Sequence, residues 1–454
     1  MATVDTLDLW KKWLGALQNT ALPAGLGDNQ RFSAGSTTLN IDLGNADPNI
    51  VNYYIHGLGD VVPANSPSYS AGGGLLASYA VFLDCINLGP VNNPNLATAL
   101  NNAATALNTA QDAFNNVQTK AFAAYTNYKN MINPSAPAFQ TWVTQGYPGY
   151  ITANNNVLGA ANQYDTLMVQ IYGAGYSVLQ QARTKVGVNG AQSLLGPNAF
   201  NMAVTSGSVA VPGSQPVVIG GDTPPPASSL VSSLAPAYSL QAFSAKYAEW
   251  QASSVTIPAT VGASISITSG TASYNLDESG WSASADASLF GDFFNFTASG
   301  SASGQKTSID TSSSDFSLTV DFTGLGSFPI SPGQWWDSGS LVATYHDKLK
   351  PNSPNFFGDG GSLSGFATQV VVGFEPTVKL QMKSSDYSNV KSSWQAQATA
   401  SIGIGPFRIG SVSGAANGTK QNIQWDDASA TVTIGPVPST LPVLLGVVSQ
   451  RLGV

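Results

Sequence analysis

The sequence predicts an α+β protein, with a long antiparallel helical hairpin in the N-terminal half and an antiparallel β-sandwich or barrel in the C-terminal half. Three observations lead there. Between residues 94 and 182 apolar side chains recur at heptad spacing, the period of two helices packed along a seam. After residue 254 the period falls to two, in short runs bounded by Gly, Pro, Asn and Ser. Only 9% of the 454 residues are charged, against roughly a quarter in an ordinary soluble protein. Ser, Thr, Asn and Gln must therefore supply the polar surface.

The seam is read from Leu96, Leu100, Ala103, Leu107, Ala110, Phe114, Val117, Ala121, Ala124, Tyr128 and Met131, which alternate spacings of four and three. Proline at 134 should end this helix, because it disfavours helical geometry in the residue before it. A second run, Val157, Ala161, Tyr164, Met168, Ile171, Gly175, Val178 and Ala182, keeps the same register, with Asn154–Asn156 as its expected cap. Asn, Gln and Thr stand on the outer faces where a coiled coil in water carries Glu and Lys. That composition suggests a hairpin covered by neighbouring subunits or by the rest of the chain. The connector, residues 132–153, holds Phe139, Trp142, Tyr147 and Tyr150 and no charge. These aromatics fit either a short helix packed on the hairpin or a tip that meets a bilayer interface or a second subunit.

Four segments follow from composition: a mixed region at 1–90 that packs on the body, the hairpin at 91–190, a Gly/Pro/Ser-rich connector at 191–237, and a β-rich domain at 238–454. Within the first, residues 5–18 read as an amphipathic helix with Trp10 and Trp13 near one face, for docking on the body or for a membrane surface. Residues 30–72 read as strand and turn, Ile50–His56 being the clearest strand, and 74–87 as a helix. A helix at 238–252 leads into strands expected near 262–268, 271–277, 281–289, 293–299, 315–323, 340–345, 367–374, 376–382, 393–403, 406–412 and 429–434. The Ser/Thr/Ala-rich stretch at 281–318 suits a hairpin with one face to water and one to lipid, and equally a plain surface hairpin.

Chemistry is mostly absent from the sequence. Two histidines exclude a His-rich metal site, no Gly-x-Ser-x-Gly elbow occurs, and Gly57-Leu-Gly59 and Gly324-Leu-Gly326 lack the third glycine of a dinucleotide loop. Cys85, the single cysteine, excludes an intrachain disulfide and reads as a buried thiol. No cofactor, metal or enzyme activity is expected. Trp335, Trp336 and His346 form the best residual cluster, a candidate ligand platform for sugar stacking, with Trp394 and Trp425 as further candidates. A net charge of −8 argues against nucleic acid as a partner.

The expected function is that of a non-enzymatic, self-associating, membrane-active protein, in its strongest form a pore-former. A long helical hairpin on a β-rich body is an architecture some pore-forming proteins share. The alternatives are a structural protein that polymerises into a filament, crystal or shell, and a carbohydrate-binding module. The expected partner is the chain itself, with membrane lipid or a glycan beside it. The first residues lack the apolar run of a secretory signal, so a cytoplasmic location or release by a non-classical route is expected.

Overall fold

The computed structural model describes residues 6–41, 43, 48–60, 68–69, 74–133, 135–186, 199–205, 230–236, 238–254, 262–275, 292–298, 309–333, 335–358, 360–395, 400–410, 423–435 and 441–452. Most of the connector expected at 191–237 and most of the 281–318 stretch lie outside them; the described parts of the connector, 199–205 and 230–236, are two paired strands. The chain divides into two compact units, one of residues 1–84, 184–346 and 351–454, the other of residues 85–183 and 347–350.

The first unit opens with α1 (Thr6–Ala21), β1 (Gln30–Asn40), α2 (Pro48–Gly59), β2 (Ser68–Tyr69) and α3 (Leu75–Cys85). Trp10, Trp13, Leu14 and Leu17 of α1 are buried in the main apolar cluster, so this helix docks on the body and leaves neither tryptophan for a membrane surface. The strand expected at Ile50–His56 is instead the middle of α2. Val51, Tyr54, Ile55 and Leu58, spaced three and four apart, pack on a second apolar cluster, and Pro48 starts the helix where no amide donor is needed. Tertiary burial of that face outweighs the β-branched and aromatic composition.

The second unit contains α4 (Pro94–Met131), α5 (Phe139–Gly146), α6 (Pro148–Tyr172) and α7 (Ala174–Lys185), whose last residues pass into the first unit. Asn93 caps α4, its side chain accepting from the Asn95 and Leu96 amides, and Pro94 follows. At 1.5 Å per residue α4 is about 57 Å long. α6 runs back along it: Tyr150 meets Phe114 at a ring separation of 5.0 Å, and the Tyr172 hydroxyl donates to the Gly89 carbonyl. The seam side chains of α4 are buried or half-buried up to Tyr128, and Met131 is not.

Two details differ from the sequence reading. α6 begins at Pro148, so Asn154–Asn156 lie inside the helix, exposed, and cap nothing. Gly173, at φ +68°, then breaks the helix and shifts its phase, a conformation only glycine adopts freely. Beyond it Tyr176, Leu179 and Ala182 are buried, while Val178, expected in the seam, is 41% exposed. Asp165 spans the break, accepting from Tyr176 Oη at 2.6 Å and Gln180 Nε2 at 3.0 Å. Cys85 is half-buried rather than enclosed.

The remaining elements of the first unit are β3 (Ala199–Thr205), β4 (Leu230–Pro236), β5 (Tyr238–Leu240), α8 (Phe243–Ser254), β6 (Ala263–Thr268), β7 (Phe294–Ala298), β8 (Ser317–Pro332), α9 (Ala343–Tyr345), β9 (Gly365–Gln381), α10 (Ser384–Gln395), β10 (Ala400–Ile404), β11 (Phe407–Gly410), β12 (Ile423–Asp426), β13 (Thr431–Ile434) and β14 (Val443–Arg451). An antiparallel ladder of β8 and β9 is the spine of a nine-stranded sheet. β6 and β5 pair with the far edge of β8, and β14 and β13 share the far edge of β9. β1 joins antiparallel to β14, so the N-terminal region contributes a strand to the sheet. Among the described residues this sheet is open, with β5 and β6 at one edge and β12 and β2 at the other. β7, β10 and β11 form a second, three-stranded sheet, and β3 with β4 a third. The segment at 340–345 is helical, because Asp337 caps it by accepting the Ser340 amide at 2.7 Å. The segment at 393–403 begins as the end of α10, residues 271–275 carry no strand, and β12 and β14 lay outside the expected strands.

The spine changes faces at one point. Val370, Val372 and Phe374 of β9 lie in the second apolar cluster, yet Val378 and Leu380, of the same parity, lie in the first. Between them Glu375 takes φ +47°. A strict two-residue alternation cannot invert its faces without such a residue. β8 inverts in step, with Leu318, Val320 and Phe322 in the first cluster and Phe328 and Ile330 in the second. The outer neighbour of β9 also changes here, from β14 up to Gly373 to β13 from Val378. Glu375 is 8% exposed and accepts from Ser254 Oγ at 2.7 Å and Thr323 Oγ1 at 3.1 Å. The two Gly-Leu-Gly segments prove to serve packing: a Cβ at Gly59 would lie 2.1 Å from the Tyr238 ring, and one at Gly324 2.1 Å from Trp250.

Candidate functional site

At its far end the helical unit builds a small aromatic core of its own. The Asn133 side chain accepts the Ser135 amide and its carbonyl accepts the Ala136 amide, turning the chain out of α4. α5 then folds back on α4. Phe139 packs its ring on Phe122 and Tyr125 at 5.3 and 5.5 Å, and Trp142 on Tyr125 and Tyr128 at 5.4 and 5.8 Å. Tyr125 Oη donates to the Pro137 carbonyl at 2.9 Å, and Ala121 and Val143, both fully buried, fill the centre. The structure thus brings Phe139, Trp142, Tyr147 and Tyr150 together. Tyr150 is 9% exposed and the other three are half-buried, so these rings hold the end of the hairpin in shape.

What the end presents outward is a different set. Met131 is 83% exposed, Ile132 72%, Phe122 55% and Ile151 41%. Met131 had a place in the seam, and the others sit outside it. Their signal in the sequence is an apolar residue beside a seam residue: Phe122 next to Ala121, Ile132 next to Met131. Lys120 and Lys129 are exposed on the same helix, and no Asp or Glu occurs between Asp112 and Asp165.

The second candidate cluster lies in the β-rich unit and is mostly enclosed. Trp335 is 1% exposed, its ring 5.5 Å from Tyr238 and 6.1 Å from both Tyr79 and Trp336. Stacking on a sugar needs an open ring face, and Trp335 has none. Trp336 is half-buried between Tyr79 and Phe366, its Nε1 buried with no hydrogen-bond partner among the described residues. His346 reaches the same aromatic network from its other end, its ring 6.2 Å from Phe357 and its Nδ1 3.0 Å from the Ala343 carbonyl oxygen. Phe357 in turn packs on Phe82, and Phe82 on Tyr79. Burial, with the Asp337 carboxylate nearby, pushes the Tyr79 hydroxyl well above its ordinary range. Burial also opposes ionisation of Asp337, but hydrogen bonds from the Ser340 hydroxyl and amide outweigh it and hold the carboxyl below the usual range. Trp425 packs on Tyr387, and the Trp394 side chain lies outside the described residues.

A polar group not foreseen joins His56, Asp60 and Tyr238. Asp60 Oδ1 accepts the Leu76 amide at 2.7 Å and the Tyr238 hydroxyl at 3.2 Å, and His56 Nε2 stands 3.8 Å from Oδ2. It ties the first turn of α3 to α2 and β5. Among the described residues no three His, Cys, Asp or Glu side chains are placed to hold a metal ion. Comparison with known proteins finds no matching family model, no matching curated protein and no matching solved structure.

Proposed function

We propose that this chain is a non-enzymatic, self-associating protein that meets membranes through the end of its helical hairpin, as a pore-former or membrane-binding module does. One observation carries the reading. Of the eight large apolar side chains left exposed among the described residues, seven (Phe122, Met131, Ile132, Ile151, Leu158, Val169 and Val178) belong to the helical unit and only Val81 does not. Elsewhere the described residues enclose nearly all their large apolar side chains, so the helical unit is where a non-aqueous partner belongs. The low share of charged residues, 9%, supports the reading, because a charge-poor surface loses less hydration when covered. Among the described residues no helix is long and apolar enough to cross a bilayer, so the contact proposed for the hairpin is interfacial. The finer architecture we infer for the body is a sandwich: Trp13 and Phe322 both pack on Phe407 of the small sheet, inside the cluster that lines one face of the large one.

Liposome co-sedimentation and dye release test the proposal. Each side chain moved fully from water into an apolar phase contributes roughly 1.5–3 kcal/mol. Met131→Ser with Ile132→Ser should therefore weaken binding at least ~10-fold while leaving the helical signal intact. Intact liposomes and unbound wild-type protein would end the reading. A second reading rests on a separate observation. Leu158 and Val169, 53% and 42% exposed, are eleven residues apart, three turns, on one flank of α6. That flank suits a lengthwise contact between copies in a filament or shell. Regular polymers in electron micrographs without lipid would favour it. Among the described residues a carbohydrate-binding role retains the half-buried rings Trp336 and Trp425, and a glycan array would test it.

A further inference from the structure

We infer that the partner of the hairpin end is an anionic phospholipid surface, an inference that rests on the membrane-contact reading above. The chain carries a net charge of −8, yet its residues 113–164 hold two lysines and no acid. Both lysines are exposed, and both share a flank of α4 with an exposed apolar side chain. Lys129 stands seven residues, two helical turns, beyond Phe122; Lys120 stands eleven residues, three turns, before Met131. Each flank thus carries an ammonium and an exposed apolar side chain, about 10 Å apart on one flank and about 16 Å on the other, so that both can face one surface. Lys129, two residues before Met131, sits nearest the end. Lys120 is about 13 Å further back along the axis, more than a Debye length at physiological salt.

The remaining charge of the chain argues for the same site. An acidic protein is repelled by an anionic bilayer, so approach must lead with a stretch of the opposite sign. Residues 113–164 are an acid-free stretch that also carries five of the eight large apolar side chains exposed among the described residues. A second copy of the chain is the poorer occupant, since two cationic ends would meet. Neutral lipid alone would leave the lysines without a role.

The test is flotation of the full chain with vesicles of phosphatidylcholine, alone and mixed with phosphatidylserine, at low and physiological salt. Binding should be several-fold tighter to the mixed vesicles and should weaken as salt rises. Lys129→Gln should lower that binding about fivefold, and Lys129→Gln with Lys120→Gln roughly tenfold, both without effect on neutral vesicles. Equal binding to both vesicle types, or a double variant that binds like wild type, overturns the inference and leaves the membrane contact standing. No binding to either overturns both. Sedimentation that is the same with and without vesicles assigns the face to a second copy and also overturns it. Circular dichroism of the variants confirms that the exposed lysines were removed without loss of fold.

Discussion

Glu375 shows how one residue can set the geometry of a whole sheet. An ordinary side chain in the left-handed region costs about 1–2 kcal/mol, and here the hydroxyls of Ser254 and Thr323 hold it in place. Glu375→Ala keeps the strained backbone and strands two part-buried donors. It should lower the unfolding free energy by roughly 2–4 kcal/mol in urea denaturation. Glu375→Gly loses the same hydrogen bonds but relieves the backbone, so it should be less damaging by about 1 kcal/mol. Equal losses in both would mean that the backbone is unstrained there. The depressed carboxyls have their own signature. Asp337 and Asp8 each titrate below the usual range against the cost of burial, held by Ser340 in one case and by Ser273 and Lys12 in the other. A carboxyl whose folded pKa lies below the unfolded one stabilises above the unfolded value, near 3.9, and loses that contribution as pH falls through the folded value. Stability should therefore decline in this acid window, and Asp337→Asn should flatten the decline. An unchanged profile in the variant would contradict the assignment.

Among elements, the hairpin end divides residues that build from residues that face outward. Tyr150→Ala removes a ring from the aromatic core against Phe114 and Phe139 and should cost about 3 kcal/mol, loosening α5 from α4. Its effect on vesicle binding should therefore track the loss of helical signal, while Met131→Ser with Ile132→Ser should act on binding alone. Trp142→Ala with Tyr147→Ala should do both, since these rings are half-buried. Equal helical signals in wild type and Tyr150→Ala would show that the aromatic core is dispensable.

The same elements show what the sequence made legible. α4 was readable because eleven seam positions repeat without a slip and Pro134 marks its end. α6 was readable in kind and in phase, its seam residues from Val157 to Ile171 being half-buried. The reading failed at Val178 of α7, since Gly173 resets the register and a glycine in a helical run does not announce its φ. α2 was hidden because Ile50–His56 has strand composition, and only the face buried by Val51, Tyr54, Ile55 and Leu58 decides for helix. The four aromatics of the connector were found by their crowding. Their neighbours Phe122 and Ile132, which face outward, were not, because exposure depends on how α5 folds back and no local pattern encodes that. Trp335 failed as a platform for a related reason: clustering in sequence marks aromatics that meet, and those usually meet in a core.

For the whole molecule, a charge-poor chain can stay folded because two apolar clusters flank one continuous sheet, with α1 closing the first and α8 the second. Among the described residues that body leaves one large apolar side chain exposed, Val81, whereas the helical unit keeps seven in contact with solvent. A protein so arranged should stay helical in dilute solution and change its state of association on meeting lipid. The central claim is that the end of α4 enters a membrane interface. Its most direct measurement is fluorescence from a polarity-sensitive dye on Met131→Cys, in a chain carrying Cys85→Ser, titrated with phosphatidylserine-containing vesicles. The emission should shift to the blue and strengthen at Met131→Cys, and should stay unchanged for the same dye on Thr105→Cys, in the N-terminal third of the helix. A dye at position 131 that reports water throughout the titration would contradict the account.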